Sequence, residues 1–345
     1  MNDFVDKFDT FFRLHKFHYE SCDAYRSISK NLFSQGQNIG NLHDLPFIPA
    51  QLFKTHQLLS VPSDQIVKIM SSSGTSGTSR SKVCLDKKTA RAQSEALTNI
   101  MMDITKNKRR PLLIIDTDSQ LSDRNQFSAR GAGILGFSMF GSKRYFAFDT
   151  DMEIRDDQVS DFLNNSKRPK LLFGFTFIIW KEMLSKLPEG AQIFGDQEAV
   201  LIHGGGWKKL KNADISFEQF KAAVKSKLGS GITVREYYGM VEQTGSIFLG
   251  CECGFLHTNQ YNELLIRDPN NLEISEPGQP GVIQVLSTLP ESYPGFSILT
   301  DDIGVIDTNA SNRNCEICAT NTTRFTIKGR LPKAEIRGCS DTYAG

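Results

Sequence analysis

The chain has 345 residues, 39% of them hydrophobic, which is enough for a sizeable core in one large domain or two ordinary ones. Lys and Arg number 40 against 39 Asp and Glu, so no overall charge favours nucleic acid or an anionic membrane. We expect no membrane span and no signal peptide, because no apolar stretch is long enough and the N-terminus lacks a basic segment before an apolar one. The expected compartment is the cytoplasm, and the expected partner is a small molecule or a protein.

Apolar residues near the N-terminus recur at helical spacing and predict an amphipathic helix that packs on the main body. They are Phe4, Val5, Phe8, Phe11 and Phe12. Short helical and loop segments follow. Residues 1–60 are therefore expected to form a helical N-terminal cover on the sheet.

Residues 61–249 alternate between apolar runs and helix-forming stretches, which is the pattern of an α/β core. Strands are predicted over 111–116, 170–180, 199–203 and 233–237, and helices over 89–104 and 217–228. Gly131-Ala-Gly-Ile-Leu-Gly136 matches the G-x-G-x-x-G pattern, but a polar stretch precedes it where a dinucleotide site needs a strand. We interpret these glycines as permitting close packing, or backbone approach to an acyl chain.

After Gly250 the pattern changes to short alternating strands, with turns expected at 268–271 and 276–278. Residues 250–345 are predicted to form a smaller β-rich subdomain followed by a C-terminal tail. This part of the chain contains four clustered cysteines, which in a reducing compartment favour a metal site over disulfides.

The stretch from Ser71 to Lys82 consists of twelve residues that are almost all small, hydroxylated or basic. Gly74 and Gly77 let the backbone turn several N–H groups toward one anion, while the hydroxyls and Arg80 or Lys82 add donors and charge. Apolar segments on both sides predict a strand, a loop and a strand. The ordinary P-loop pattern is absent because no Gly-Lys-Ser/Thr triplet is present, so we expect a different phosphate loop for ATP.

Four motifs, in this order, resemble the signatures of the adenylate-forming superfamily of acyl- and aryl-CoA ligases. They are Ser72-Ser-Gly-Thr-Ser-Gly77, Tyr237-Tyr-Gly-Met-Val-Glu-Gln-Thr-Gly245, Leu299-Thr-Asp-Asp302, and Gly329-Arg330 followed by Ala334-Glu-Ile-Arg-Gly338. Residues 48–56 and His203-Gly-Gly-Gly-Trp207 are similar to the branch that holds phenylacetate-CoA ligase and the acyl-protein synthetase of bacterial bioluminescent fatty acid reductases. The synthetase is the more similar of the two.

The resemblance implies an adenylate-forming N-terminal domain of the α/β class, with mixed or parallel sheets flanked by helices and a smaller β-rich subdomain. The mobile C-terminal lid of the wider superfamily is expected to be absent from this sequence, which ends at Gly345. Either the chain belongs to a short branch that does without the lid, or the sequence is a fragment. No cation among Lys328, Lys333 and Arg337 can be assigned to the lysine that this lid carries.

The resemblance also implies the nucleotide site. The triphosphate would lie on Ser72, Ser73, Gly74, Thr75, Ser76, Gly77 and Thr78 with Lys82 nearby, the adenine on Gly204, Gly205 and Gly206, and the pocket would be lined by Tyr238, Gly239 and Thr244. Asp302 would accept the ribose hydroxyls, although Asp301 replaces the family's glycine and either acid could serve. Arg330 would reach the nucleotide, and Glu242 would coordinate Mg²⁺.

Cysteine and histidine spacing after residue 250 indicates a structural Zn²⁺ site, because closely spaced thiolates can bind one tetrahedral ion. The five candidates for four positions are Cys251, Cys253, His257, Cys315 and Cys318. Free buried thiols are the alternative interpretation.

Cys339 lies six residues before the end of the sequence, with Arg337, Lys333 and Arg330 nearby to favour a thiolate. The synthetase resemblance implies that this thiolate attacks an acyl-adenylate and forms a thioester for a reductase, an acyl carrier or another acceptor. The alternative for Cys339 is a small residue that packs a terminal strand. For the whole chain, the alternatives are a ligase that uses coenzyme A and a non-catalytic, zinc-braced nucleotide-binding scaffold.

The acid is expected to be apolar, with a fatty acid as the expected kind, since the core segments contain more aromatic surface than a polar acid needs. The candidate lining residues are Phe137, Met139, Phe140, Phe173, Phe175, Phe177 and Trp180. Aromatic residues in strands that belong to the plain core are the alternative.

Overall fold

The computed structural model describes residues 7–33, 38–72, 80–121, 129–167, 169–205, 215–252, 254–308 and 322–331. The helices are α1 (Lys7–Ser21), α2 (Asp23–Leu32), α3 (Leu52–Thr55), α4 (Lys87–Ile100), α5 (Met102–Thr105), α6 (Ala129–Ser138), α7 (Asp156–Asn164), α8 (Thr176–Ile178) and α9 (Phe217–Ala223). The strands are β1 (Ile48–Pro49), β2 (Ile66–Ser71), β3 (Lys82–Asp86), β4 (Arg110–Thr117), β5 (Gly141–Phe148), β6 (Lys170–Phe175), β7 (Ala199–Gly204), β8 (Ile232–Tyr238), β9 (Phe248–Gly250), β10 (Leu256–His257), β11 (Asn262–Arg267), β12 (Gly281–Ser287), β13 (Ser297–Ile306) and β14 (Arg324–Arg330). Short 3-10 turns lie at Leu42–Asp44, Ser63–Gln65, Asp118–Leu121 and Val241–Gln243, and π-helical turns at Ile179–Leu184 and Val224–Leu228.

Within the described ranges, twelve strands form one mixed sheet. Eleven of them follow the order β11-β12-β13-β14-β10-β9-β8-β7-β6-β4-β5, and β1 pairs with β13 in parallel. The strands from β5 to β8 are parallel neighbours, and antiparallel pairing begins between β8 and β9. The mixed α/β sheet predicted from the sequence is confirmed. Strands β2 and β3 form a separate antiparallel hairpin.

The parallel half of the sheet is built from strands that are buried on both faces. All six residues of β6 are buried, and so are seven of the eight residues of β4. Nearly continuous apolar runs of this kind are what a parallel strand covered by helices requires. The first covering helix, α4, begins where the Asp86 side chain accepts a hydrogen bond from the Thr89 backbone at 2.8 Å.

The strand predicted over 170–180 is wrong in its second half. Strand β6 ends at Phe175, and α8 followed by a π-helical turn occupies the rest. Strand β6 and its neighbour β7 end at the same level, where the Thr176 hydroxyl donates a hydrogen bond to the Gly204 carbonyl at 3.1 Å. An apolar run alone does not distinguish a buried strand from a buried helix.

The G-x-G-x-x-G segment lies inside helix α6, so it is not a dinucleotide turn. A Cβ atom at Gly133 would lie 3.0 Å from Cζ of Phe175, and one at Gly136 would lie 3.5 Å from Cδ2 of Leu97. Close packing is therefore confirmed at Gly133, whereas a Cβ atom at Gly136 would make only an ordinary van der Waals contact.

Two buried clusters lie on the sheet. One fills the parallel half with side chains from β4, β6, β7, β8 and the helices around them. The other joins the N-terminal helices to the hairpin and to the antiparallel strands, and it contains Phe11 and Leu14 of α1, both fully buried. The predicted N-terminal helix and its packing on the main body are confirmed from Lys7 onward, and Phe4 and Val5 lie outside the described residues. The boundaries at 60 and 249 stay predictions. None of the helices in the described part of the chain is long and apolar enough to cross a membrane.

Candidate active site

The β2–β3 hairpin confirms the two strands predicted on either side of the candidate phosphate loop. Its strands pair from Ile66 with Asp86 up to Ser71 with Lys82. Ser72 extends the pairing, because its backbone N–H donates to the Ser81 carbonyl at 3.0 Å and its hydroxyl accepts from the Ser81 N–H at 2.9 Å. Lys82 is exposed to solvent. The remaining candidate phosphate ligands lie outside the described residues: Ser73, Gly74, Thr75, Ser76, Gly77 and Thr78.

Two of the predicted adenine-site glycines, Gly204 and Gly205, lie at the end of β7. A Cβ atom at Gly204 would lie 2.6 Å from Cζ and 2.7 Å from Cδ1 of Tyr237, so this ring occupies the space that a side chain would need. Gly205 has a φ of 90°, a left-handed conformation that favours glycine. Gly206 lies outside the described residues. Close packing thus requires glycine at position 204, and the backbone conformation favours it at position 205.

Three of the predicted site residues meet at the junction of the two halves of the sheet. The Tyr238 hydroxyl donates to Oδ2 of Asp302 at 2.9 Å, and Nε of Arg330 donates to Oδ1 at 2.9 Å. Asp302 and Arg330 face each other in the β13–β14 register, and Tyr238 is the last residue of β8. These contacts bring three separate motifs to one buried carboxylate.

Asp302 is 7% exposed, and its backbone is also fixed by hydrogen bonds. Its backbone N–H donates to the Thr300 hydroxyl at 3.1 Å, and that hydroxyl donates to the Ile283 carbonyl at 2.8 Å. Burial, reinforced by the Asp302 charge, raises the pKa of Tyr238 well above its usual value. Tyr238 is therefore a neutral hydrogen-bond donor to the carboxylate at any physiological pH.

Asp301 points to a different environment from Asp302. Its carboxylate accepts a hydrogen bond from Nε2 of Gln51 at 3.2 Å, and its carbonyl accepts one from the Leu331 N–H at 3.0 Å. Gln51 reaches it because β1 runs parallel to β13 and the Ala50 N–H donates to the Leu299 carbonyl at 2.9 Å. Gln51 is not among the predicted site residues, although it lies in the segment 48–56 that carries part of the resemblance.

Glu242 lies on the 3-10 turn Val241–Gln243 and is 6% exposed. Its backbone carbonyl accepts a hydrogen bond from the Tyr293 hydroxyl at 2.8 Å. The turn is closed by the Thr244 hydroxyl, which donates to the Val241 carbonyl at 2.8 Å. Gly239, at the start of the motif, packs against Ile247, which would lie 3.1 Å from a Cβ atom there. The motif is thus a rigid turn between β8 and β9.

Two of the five predicted zinc ligands lie on one small hairpin. Cys251 follows β9, and its N–H donates to the Phe255 carbonyl at 2.9 Å just before β10. Nδ1 of His257 lies 3.1 Å from the Thr322 hydroxyl, and burial lowers the pKa of His257 to about 4. Cys253, Cys315 and Cys318 lie outside the described residues, as does Cys339. Within the residues that are described, no three His, Cys, Asp or Glu side chains are grouped to hold a metal ion.

Aromatic side chains fill the space between α6 and the parallel strands. Phe137 stacks on Phe173 with ring centroids 4.2 Å apart, and Tyr237 lies 5.2 Å from Phe137. Phe173 and Phe175 are 0% and 1% exposed. These rings are core residues, whereas the proposed lining residues Met139, Phe177 and Trp180 are only partly buried.

The fold and the site define a class of protein with solved members. A 2-hydroxyisobutyryl-CoA ligase, solved in an open conformation in complex with 2-HIB-AMP and CoA, is 15% identical, with a TM-score of 0.65 over 94% of this chain and 69% of that chain. ATP-bound MatB from Rhodopseudomonas palustris is also 15% identical, with a TM-score of 0.52 over 79% of this chain and 49% of its own. The fold is that of the adenylate-forming ligases.

Sequence comparison identifies the family within that class. The model of the acyl-protein synthetase LuxE family matches residues 6–344, and the chain belongs to this family. The long-chain-fatty-acid–luciferin-component ligase of Vibrio harveyi is 25% identical over 94% of this chain and 84% of its own length. The ligase of the same name from Aliivibrio fischeri is 22% identical over 84% of this chain and 76% of its own length.

Family membership confirms three predictions: the resemblance, the adenylate-forming fold class, and an acyl-activating ligase that passes its acyl group to a thiol.

Proposed function

We propose that this protein uses ATP to activate a long-chain fatty acid as an acyl-adenylate and then transfers the acyl group to its own Cys339. The carboxylate oxygen attacks the α-phosphorus and pyrophosphate leaves; the thiolate then attacks the acyl carbon and AMP leaves. The resulting thioester would be handed to a reductase or another acyl acceptor. The names of the two curated relatives support a long-chain fatty acid as the substrate.

The observation that carries the proposal is the contact of Tyr238 and Arg330 with the Asp302 carboxylate. These two contacts hold the Asp302 carboxylate in one orientation, and a planar acceptor with two oxygens suits the two hydroxyls of a ribose. Asp302 lies where the parallel strand β8 ends, and ligands of open α/β sheets bind beyond the carboxyl ends of parallel strands. Of the two acidic residues left open by the sequence, this placement favours Asp302.

Glu242 fits a magnesium ion bound together with phosphates. It supplies one hard carboxylate on a turn that is fixed by Tyr293 and Thr244, and Mg²⁺ is commonly held by one or two carboxylates plus substrate phosphates. When bound, the ion would spread the negative charge that develops at the α-phosphate. The protein's own contribution is to hold Glu242 in place.

Adjacent acidic residues provide a matched test of the nucleotide site. The assay is fatty-acid-dependent exchange of labelled pyrophosphate into ATP. We expect Asp302→Asn to lower this exchange at least about tenfold, because loss of a charged hydrogen-bond partner costs about 1.5–3 kcal/mol. Asp301→Asn should stay within about twofold of the wild type, because an asparagine oxygen can still accept the hydrogen bond from Gln51. The reverse result would move the ribose contact to Asp301, and wild-type protein without exchange on any fatty or aryl acid would refute the proposal.

Intact mass after incubation with ATP, Mg²⁺ and a panel of acids tests the acceptor. The wild type should retain an acyl group, while Cys339→Ser should retain none and still catalyse exchange. An acylated Cys339→Ser protein would remove this cysteine from the reaction. Acyl-CoA formed only when coenzyme A is added would identify a CoA ligase instead.

We also propose a structural Zn²⁺ ion at the β9–β10 hairpin. The support is topological: Cys251 and His257 flank this hairpin, and Thr322, which contacts His257, comes four residues after Cys318 in the sequence. Thiolate and imidazole are the ligands that structural zinc prefers. Metal analysis of the purified protein should give about one Zn²⁺ per chain, and Cys315→Ser should lose it; wild type without bound metal would favour free thiols.

A further inference from the structure

The connection between β12 and β13, residues 288–296, is buried instead of running over the surface as most loops do. Ser292, Tyr293 and Phe296 are all 0% exposed, and Leu289 is 7% exposed. A buried loop has to satisfy its polar groups inside the protein, so its hydrogen bonds show which elements it joins. The name 288–296 loop is used for this segment below.

One side of the 288–296 loop is bonded to the β2–β3 hairpin and to the helix that follows it. The Ser292 hydroxyl donates to the Cys84 carbonyl of β3 at 2.8 Å. The Ser292 N–H donates to the hydroxyl of Thr89, in the first turn of α4, at 3.1 Å. On its remaining side, the Ser292 carbonyl accepts from the Ser60 N–H at 2.9 Å. All three polar groups of this one residue are therefore used.

The next residues of the 288–296 loop are bonded to the turn that carries Glu242. The Tyr293 hydroxyl donates to the Glu242 carbonyl at 2.8 Å, and Nε2 of Gln243 donates to the Gly295 carbonyl at 2.8 Å. A Cβ atom at Gly295 would lie 2.9 Å from both Cδ2 of Tyr293 and the Glu242 carbonyl oxygen. The turn and the loop are therefore packed too closely for any other residue at position 295.

We infer that Ser292 and Tyr293 are positioning residues that fix the Glu242 turn relative to the β2–β3 hairpin. Ser292 is bonded to the hairpin, and the adjacent Tyr293 is bonded to the Glu242 turn. The 288–296 loop that contains both residues leads directly into β13, the strand of Asp302. Binding of a triphosphate and its metal ion needs donors from both elements at a fixed separation, and errors of the order of 1 Å are costly in such sites. This inference rests on the proposed function, because it takes the hairpin and Glu242 as the two parts of one nucleotide site.

Removal of one hydroxyl tests the inference with a control for stability. Tyr293→Phe deletes the hydrogen bond to the Glu242 carbonyl. The control is Tyr145→Phe, which deletes a buried hydroxyl in the parallel half that lies 3.3 Å from Nδ2 of Asn165. We expect both variants to lower the urea midpoint by similar amounts. Only Tyr293→Phe should raise the Mg²⁺ concentration needed for half-maximal ATP binding, by about three- to tenfold, since one hydrogen bond is worth about 0.5–1.5 kcal/mol.

Ser292→Ala provides the second measurement, because it loosens the hairpin side without touching the tyrosine. It should weaken ATP binding by a similar factor, and the double variant Ser292→Ala/Tyr293→Phe should fall short of the product of the two factors, since both act on one separation. Fatty acid binding without nucleotide should be unchanged in all variants. The inference is overturned if Tyr293→Phe binds ATP and Mg²⁺ as Tyr145→Phe does, or if the two factors multiply fully. Normal ATP binding without carboxylate-dependent exchange would instead refute the proposed function alone.

Discussion

The parallel and antiparallel halves of the sheet are stabilised by different kinds of buried contact. In the parallel half, strands such as β6 bury apolar side chains along their whole length. In the antiparallel half, many polar side chains are buried and hydrogen-bonded. Gln284 accepts a hydrogen bond from Arg267 and donates one to the Ser297 hydroxyl, and Gln243 donates one to the Val285 backbone carbonyl. The site residues Asp302 and Glu242 are held by the polar half. The apolar half supplies the rigid strands against which they are placed.

This difference has a physical basis. Apolar burial is proportional to area and has no direction, so it stabilises a sheet without fixing single side chains to the ångström. Buried hydrogen bonds have defined lengths and angles, and a buried polar group without its partner is costly. A half that is rich in such bonds can therefore hold a carboxylate in one orientation.

The largest effect should come from the main polar exception in the parallel half, the ion pair of Asp116 and Arg130. Both side chains are 2% exposed or less, and Nε and Nη2 of Arg130 donate to the two carboxylate oxygens at 2.7 and 2.5 Å. Arg130→Met should lower the free energy of unfolding by about 3–5 kcal/mol, because it leaves a charged carboxylate buried without this partner. Urea denaturation at pH 7.5 measures the change.

Arg155→Met serves as the control for that prediction. Arg155 is paired with Asp118 at 3.4 Å, but its side chain is 32% exposed and that of Asp118 is 57% exposed. Its loss should cost about 0.5 kcal/mol or less, since solvent weakens such pairs. Equal effects of the two substitutions would contradict the view that the parallel half depends on a buried ion pair.

The parallel half was also the easier one to predict from the sequence. The strands over 111–116 and 199–203 are predicted by nearly continuous apolar runs, and the strand over 233–237 by its place in the strand–helix alternation. The predicted helix over 217–228 is present as α9 and its π-helical turn. The strand over 170–180 failed because burial alone does not separate a strand from a helix. A continuous apolar run thus predicts that an element is buried, but it does not predict whether that element is a strand or a helix.

The candidate site could be predicted only as separate motifs. Nothing in the sequence pairs Asp302 with Arg330, because the two residues are 28 positions apart and meet only through the β13–β14 register. Gln51 reaches Asp301 across 250 residues of sequence, and the signal for it was limited to the resemblance of the segment around it. Long-range hydrogen bonds between polar side chains leave no periodic pattern, which is why residues such as Tyr293 were missed.

The second largest effect should come from Gly204, where the strand end of the parallel half touches the Tyr237 ring. Gly204→Ala would place a methyl group 2.6–2.7 Å from ring carbons, and the ring is itself enclosed by Phe137 and Phe173. Overpacking of this kind should cost about 3 kcal/mol, the upper part of the usual range, because no flexible chain end can yield. Thermal or urea unfolding measures it.

Gly136→Ala is the matched substitution in the same half. Its Cβ would lie 3.5 Å from Cδ2 of Leu97, an ordinary van der Waals contact, and the position is inside helix α6. Alanine is favoured over glycine in a helix by up to about 1 kcal/mol, so this variant should be neutral or slightly more stable. Strong destabilisation by Gly136→Ala would show that the packing around α6 is tighter than the contacts imply.

The smallest change in stability is expected from the protonation of two buried histidines, one from each half of the sheet. His18 of α1 is bonded to the Ser60 hydroxyl at 2.7 Å and to the Pro290 carbonyl at 3.1 Å, and burial lowers its pKa to about 3. His203 of β7 is bonded to the Thr176 hydroxyl at 2.9 Å, and burial lowers its pKa to about 3 as well. Both rings are therefore neutral in the folded protein at pH 5, where an unfolded histidine with a pKa near 6.5 is mostly charged.

Because the unfolded chain binds these protons and the folded chain does not, stability is complete above about pH 6.5 and falls as the pH is lowered toward the folded pKa values. Each histidine should contribute a loss of about 2 kcal/mol between pH 7.5 and pH 5. Urea unfolding at the two pH values, for the wild type, His18→Gln and His203→Gln, should show each variant losing about that part of the difference. If only His18→Gln reduces the pH dependence, then acid loosens the antiparallel half first, and the polar contacts that position the site are also its weakest point in acid. Equal reductions would mean that the two halves unfold as one unit, with the apolar half as sensitive to protonation as the polar one.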